Sequence, residues 1–307
     1  MRVYETDDGR IMMKKFAVLL VVIAGVLWGV IGYFVRALQS QGLSSMQIVA
    51  IRMVVSAVLF SLYAMIFNRK LFKIKLRDLW CFLGTGVLSV ATFSFCYFKA
   101  IELSSLSQAS ILLYTAPIFV MIFSVVLFKE KLTGVKVVSL ILAFSGCMFV
   151  TGVLENGGEI NAPAIVFGLL SGVCYALYSI FSRLALDRNY SPLTITLYTF
   201  IFAGIASLFV IDVKPVLAVM SNSAGDFIFC VLFAVLSCVL PYVTYTVGLK
   251  YVKPSTASIV ASIEPVVATI TGAILFDEAV QFPFGYIGIA LVILSIVLIN
   301  LKNNSKD

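Results

Sequence analysis

Residues 255–278, STASIVASIEPVVATITGAILFDE, are apolar enough to lie in lipid, yet they carry Glu264 and Pro265 side by side near their middle. The stretch has an earlier counterpart. Residues 107–130, SQASILLYTAPIFVMIFSVVLFKE, align to it without a gap, and nine of the 24 positions are identical. Chance in so biased a composition gives roughly two. Shared are Ala-Ser-Ile at 109–111 and 257–259, Pro117 and Pro265, and Leu-Phe-x-Glu ending at Glu130 and Glu278. The same offset sets Tyr97 against Tyr245. A shift of one residue sets GVLWGVIGYFVR (25–36) against GVCYALYSIFSR (172–183), pairing Trp28 with Tyr175 and Arg36 with Arg183.

The composition says what solvent this repeat meets. Hydrophobic residues make up 61% of the 307 and charged ones 12%, against about 45–50% and 25% in soluble chains. Mean hydropathy is +1.08. The chain is read as an all-α polytopic membrane protein. Spanning a hydrocarbon core of about 30 Å takes about 20 apolar residues. Ten such segments are expected, at 15–37, 45–67, 79–101, 105–128, 134–154, 163–184, 192–211, 227–249, 255–276 and 282–301. They divide the chain into a polar N-terminal segment 1–13, a first five-helix half 14–154, an external linker 155–162, a second half 163–301 and a tail 302–307. The first span exceeds a signal-peptide core and lacks a small-residue cleavage site. Translation is expected to start at Met1 or at Met12/Met13.

Five spans per half invert the second copy in the membrane, and the charges follow that inversion. Basic residues gather in alternate connections, at Arg69–Arg77, Lys129–Lys136, Arg183–Arg188 and Lys250–Lys253, and beside both termini. The other connections hold Arg36, Lys99 and Lys214, or acids alone (Glu155 and Glu159; Asp277 and Glu278). By the positive-inside rule both termini are cytoplasmic, as an even number of spans requires. The net charge of +7 is thus spent on topology and argues against a nucleic-acid partner. Inverted repeats are the build of secondary transporters that expose a midplane site to each side in turn.

Two five-span repeats, a fourth helix ending in Pro…Leu-Phe-x-Glu, Glu264-Pro265 in the ninth span and Arg52 in the second resemble the EamA-type transporters of the drug/metabolite transporter superfamily. The resemblance runs from Lys14 to Leu301. It implies ten helices around a central cavity, with the fifth and tenth peripheral, and movement of small metabolites or drugs, usually outward, across the cell (plasma or inner) membrane.

Glu264 heads the candidate residues. It lies nine positions after Ser255, about 14 Å into the bilayer. An aliphatic stripe of Ile259, Ile263, Val266, Ile270 and Ile274 is expected to face lipid, with Glu264 on the far side among Ala257, Ala261, Ala268 and Thr271. A carboxylate facing lipid at that depth costs at least about 2.5–3.5 kcal/mol. Two roles are open to it: binding a cation or proton during transport, or hydrogen bonding to backbone groups freed by Pro265. Pro117 and Pro265 delete matched backbone hydrogen bonds and are expected to shape a hinge or the site. Trp28, Tyr175, Tyr97, Tyr245 and, more weakly, Tyr114, Tyr178 and Tyr242 offer aromatic walls for organic cations, or simply core packing. Arg52 is the one basic residue well inside a span; it can anchor a carboxylate, pair with an acid or snorkel. For Glu130 and Glu278 capping or gating is expected.

Other classes fit less well. There is no histidine, no GxSxG, no pair of aspartates within spans, and the segment AGDF (224–227) is read as loop. All six cysteines fall in apolar spans without CxxC spacing, and no GxxxxGK[ST] is present, so neither metal, cofactor nor ATP is expected. The expected partners are a small-molecule metabolite or drug and the lipid bilayer, with a homodimer open to the chain. A substrate bearing an amine, or a zwitterion such as an amino acid, would match Glu264. The alternatives are a membrane sensor or scaffold that moves nothing, and an intramembrane enzyme.

Overall fold

The computed structural model describes residues 7–153 and 161–304, and these are helical throughout apart from short turns. In chain order the rods are α1 (Met12–Gln39), α2 (Ser45–Phe67), α3 (Leu76–Leu103), α4 (Leu106–Phe128), α5 (Gly134–Val150), α6 (Ala162–Asp187), α7 (Pro192–Leu208), α8 (Val213–Asn222), α9 (Ala224–Tyr251), α10 (Pro254–Phe276) and α11 (Phe284–Leu301). Eight of them are long and apolar enough to cross a membrane, or nine if α7 and α8 count as one broken span. The fifth expected span is only 17 residues long. The seventh stops at Leu208, and α8 leaves it at 114°. The eighth to tenth expected spans are α9 to α11.

Caps explain why the rods begin where they do. Ser44 and Gln47 form a reciprocal capping box before α2. Ser105, Asn161, Ser191 and Ser223 each accept a backbone N–H at the start of α4, α6, α7 and α9. Ser223 thereby draws Asp226 into the first turn of α9, so AGDF is helix rather than loop. Near the N-terminus, helix already runs from Asp7, inside the segment read as polar. Most of the linker 155–162, with Glu155 and Glu159, lies outside the described residues.

The Leu-Phe-x-Glu motif has a backbone meaning. Its third residue, Lys129 or Asp277, is left-handed at φ 52° or 54°. The following glutamate donates its N–H to a carbonyl six residues back, Ser124 or Gly272. This closure is a Schellman ending, and it turns the chain sharply at the same place in each half.

Packing crosses between the halves. α1 lies against α9 and α10, α6 against α3 and α4, α2 against α7, and α5 against α11. Glycines permit the crossings of α1 with α10 and of α6 with α4. α4 breaks at Tyr114–Thr115 and α10 at Ser262, just before Pro117 and Pro265, which leave the carbonyls of Leu113 and Ala261 without a helical donor. A Cβ on Gly25 would stand 3.2 Å from the Ala261 carbonyl oxygen. One on Gly172 would stand 2.9 and 3.3 Å from those of Leu112 and Leu113. α3 and α9 carry π-helical turns, Gly84–Ala91 and Val235–Val239, that overlap when the halves are superposed in sequence.

The expected lipid stripe on α10 holds only in part. Ile270 and Ile274 are exposed, but Ile259 and Val266 are buried. All of Pro254–Ala261 is buried because the first half of α10 packs against the second half of α4, α1, α6, α9, α5 and α11. The break at Ser262 lets the two halves of one helix face different surroundings.

Candidate functional site

A cavity of about 570 Å³ runs from the middle of the bundle to the ends of α1 and α10, where Arg36 and Glu278 stand half exposed. Pro265 places Glu264 in the first turn after the α10 break, on the cavity wall. Its Oε2 accepts a hydrogen bond from the Tyr175 hydroxyl of α6 at 3.1 Å. Phe93 of α3 stands edge-on to Tyr175, with ring centroids 5.3 Å apart, and stacks on Tyr97 at 5.9 Å. The Tyr97 hydroxyl meets Ser110 Oγ of α4 at 2.9 Å. Arg52 of α2 lines the same cavity, and its buried Nε has no hydrogen-bond partner. No ion pair joins it to Glu264 among the described residues. The middle of the cavity thus presents the Glu264 carboxylate, the Arg52 guanidinium and an aromatic belt at separate points, with the Arg36–Glu278 pair at its mouth.

The floor is aromatic. Trp28 packs at 5.3 Å from Tyr242 and 5.4 Å from Tyr245, and Tyr242 lies 4.8 Å from Tyr178. Tyr178 and Tyr245 tie their hydroxyls to Thr246 and Ser179, both at 2.7 Å, which satisfies groups that water does not reach. Beyond this floor a second cavity of about 660 Å³ lies at the ends of α4 and α6. Lys129, Lys131, Arg183 and Lys253 line it with the buried pair Glu130 and Lys136.

The structure therefore brings Glu264, Tyr97, Tyr114, Tyr175, Trp28, Arg52 and Pro265 around one space. Tyr245 belongs to the floor and does not line the main cavity. Pro117 lies off it, buried within α4. Three lining residues were missed by sequence reasoning. Ser110 is the centre of the repeated Ala-Ser-Ile, and Arg36 was read only for topology. Phe93 stands where the repeat offset matches Pro241 of the second half, which leaves that proline unpaired and says nothing of a cavity. Lys136, counted with the basic connections, is buried inside α5 instead.

Known proteins resemble this one along nearly its whole length. A transporter of Archaeoglobus fulgidus, itself uncharacterized, is 29% identical over 94% of this chain and all of its own. The Bacillus subtilis transporter YxxF is 23% identical over 95% of this chain and 92% of its own. The Salmonella typhimurium inner membrane transporter YicL is 24% identical over 93% and 95%. One crystal structure shares the fold with a TM-score of 0.76 at 16% identity, covering 93% of this chain and 96% of that one. The profile of the EamA-like transporter family matches twice, at residues 15–152 and again at 162–301. The chain is an integral membrane transporter and belongs to the EamA-like transporter family.

Proposed function

We propose that the protein is a secondary carrier that exports a small amine-bearing or zwitterionic metabolite, or a drug of that charge type, by alternating access. The observation that carries this is the presence of both Glu264 and Arg52 on the wall of one aromatic-lined cavity that reaches one end of the bundle. An ammonium group is drawn to the carboxylate and to aromatic faces. A substrate carboxylate suits the guanidinium fork, whose Nε lacks a partner. Glu264 also serves as the coupling group, exchanging a proton or a substrate cation between the two faces.

Ten spans in two inverted halves supply the movement, with α5 and the pair α7–α8 counted as spans. Support comes from the double family match, the Schellman endings and the crossed packing of α1 with α10 and α6 with α4. The Glu130 end, rich in lysine, is placed in the cytoplasm with both termini.

The test is flux of a panel of radiolabelled amino acids and primary amines in proteoliposomes at several pH values. Uptake of at least one zwitterion, with a pH dependence that Glu264→Gln removes, is the expected result. Undiminished flux and pH dependence in Glu264→Gln would remove Glu264 from the mechanism. A panel that never moves under any gradient would reject the substrate class.

A further inference from the structure

We propose that Glu130 and Glu278 are alternating latches, each holding a serine of the opposite half when its end is shut and an arginine of the opposite half when its end is open. The proposal rests on the inverted-repeat reading above and adds the contacts that exchange.

The two ends of the molecule differ in a systematic way. At the end that the aromatic floor cuts off from the main cavity, here termed shut, Glu130 is 8% exposed, accepts a hydrogen bond from Ser255 Oγ and pairs with Lys136. Ser255 lies in the first turn of α10, so this bond joins the two halves. At the open end Glu278 holds Arg36 of α1 at 2.6 Å, again across the halves. The repeat matches Glu130 with Glu278, Ser255 with Ser107, and Arg36 with Arg183. Ser107 lines the main cavity and makes no bond to Glu278 among the described residues. Arg183 lines the second cavity beside Glu130 but bonds Asp187 at 3.0 Å and the Leu249 carbonyl at 3.1 Å. Each glutamate therefore has one serine and one arginine within its own cavity or closure, and the ends use opposite choices.

Two further facts favour an exchange over a fixed architecture. Glu130 Oε2 is buried with no partner, so the shut arrangement leaves part of the carboxylate unsatisfied. Lys136 matches Phe284, a residue that cannot pair with Glu278. The shut Glu130 latch thus has a lysine with no counterpart in a shut Glu278 latch, which biases the empty carrier towards opening at the Glu278 end.

The test uses the full-length chain in membranes, with a single reporter cysteine and a membrane-impermeant maleimide. One reporter is Thr256→Cys at the shut end; the other is Ala268→Cys on the cavity wall. The six native cysteines are buried and give a low background. With both latches intact, the cavity-wall reporter labels and the shut-end reporter does not. Glu130→Gln and Lys136→Met are expected to raise labelling of the shut-end reporter about tenfold and to lower that of the cavity-wall reporter by a similar factor. Glu278→Gln, which breaks a half-exposed pair of the open end, should act in the same direction but more weakly. Ser255→Ala, which removes one hydroxyl and no volume of consequence, should act in the same direction if a glutamate variant fails to insert. A rise at the shut end with the cavity wall unchanged means local loosening and overturns the latch, as does no change at either. Exchange of labelling without flux of any panel member leaves the latch standing and rejects transport of that substrate class. Flux without exchange does the reverse.

Discussion

At Glu264 the two carboxylate oxygens stand in different surroundings. Oε2 is held by Tyr175, which leaves Oε1 for a substrate ammonium or a proton. Loss of one hydrogen bond to a charged group costs about 1.5–3 kcal/mol, or roughly 10- to 150-fold in affinity. Glu264→Gln is expected to weaken uptake in that range, measured as KM in proteoliposomes. Tyr175→Phe frees the second oxygen and removes a neutral orienting bond, so its expected effect is smaller. Arg52→Lys keeps the charge but removes the planar fork, and should raise KM for carboxylate-bearing substrates without affecting simple amines. The place of Glu264 on a protein-facing wall was legible in the sequence because a carboxylate within twenty apolar residues needs a reason. Its partner was not. Tyr175 lies 89 positions away on a helix whose rotation only the fold determines.

Individual helices owe their shape to breaks that an average over twenty residues conceals. Hydropathy located most spans to within a few positions, since lipid imposes one requirement on all of them. It missed the interruptions at Tyr114–Thr115 and Ser262, the π-helical turns and α8, because each depends on a few hydrogen bonds rather than on polarity. The buried half of the aliphatic stripe had the same cause: periodicity cannot tell isoleucine against lipid from isoleucine against helix. Where α1 crosses α10 and α6 crosses α4, bulk is expelled. Gly25→Val and Gly172→Val should each destabilise the protein by about 1–3 kcal/mol, read as a lower melting temperature in detergent. Asp277→Val forces a β-branched residue into a left-handed turn and should cost about 1–2 kcal/mol by the same measurement.

For the whole molecule, the positive-inside distribution makes a prediction about sidedness. Lys73 and Phe282 are both exposed, in connections assigned to opposite faces. A cysteine at each should react with an impermeant maleimide from one side only, Lys73→Cys from the cytoplasm and Phe282→Cys from outside. Reaction of both from the same side would reverse the assignment of one half. At the end that carries Lys73, Asp78 of the first half bonds Arg188 at 3.3 Å and the Tyr190 hydroxyl at 2.8 Å in the second, closing one more seam between them.

The crossed glycine contacts carry a consequence for how such a chain came to be. α1 seats Gly25 on α10, and α6 seats Gly172 on α4. In each case the first helix of one half finds its close partner in the other. If the halves are inverted as proposed, a gene encoding just one half would have needed a second copy of its product, inserted upside down, to complete the fold. Residues 12–153 and 161–301 produced separately should therefore be degraded, and produced together should accumulate as a one-to-one complex. Duplication followed by fusion would then have fixed, in one polypeptide, a partnership of opposite orientations that earlier had to be found by collision.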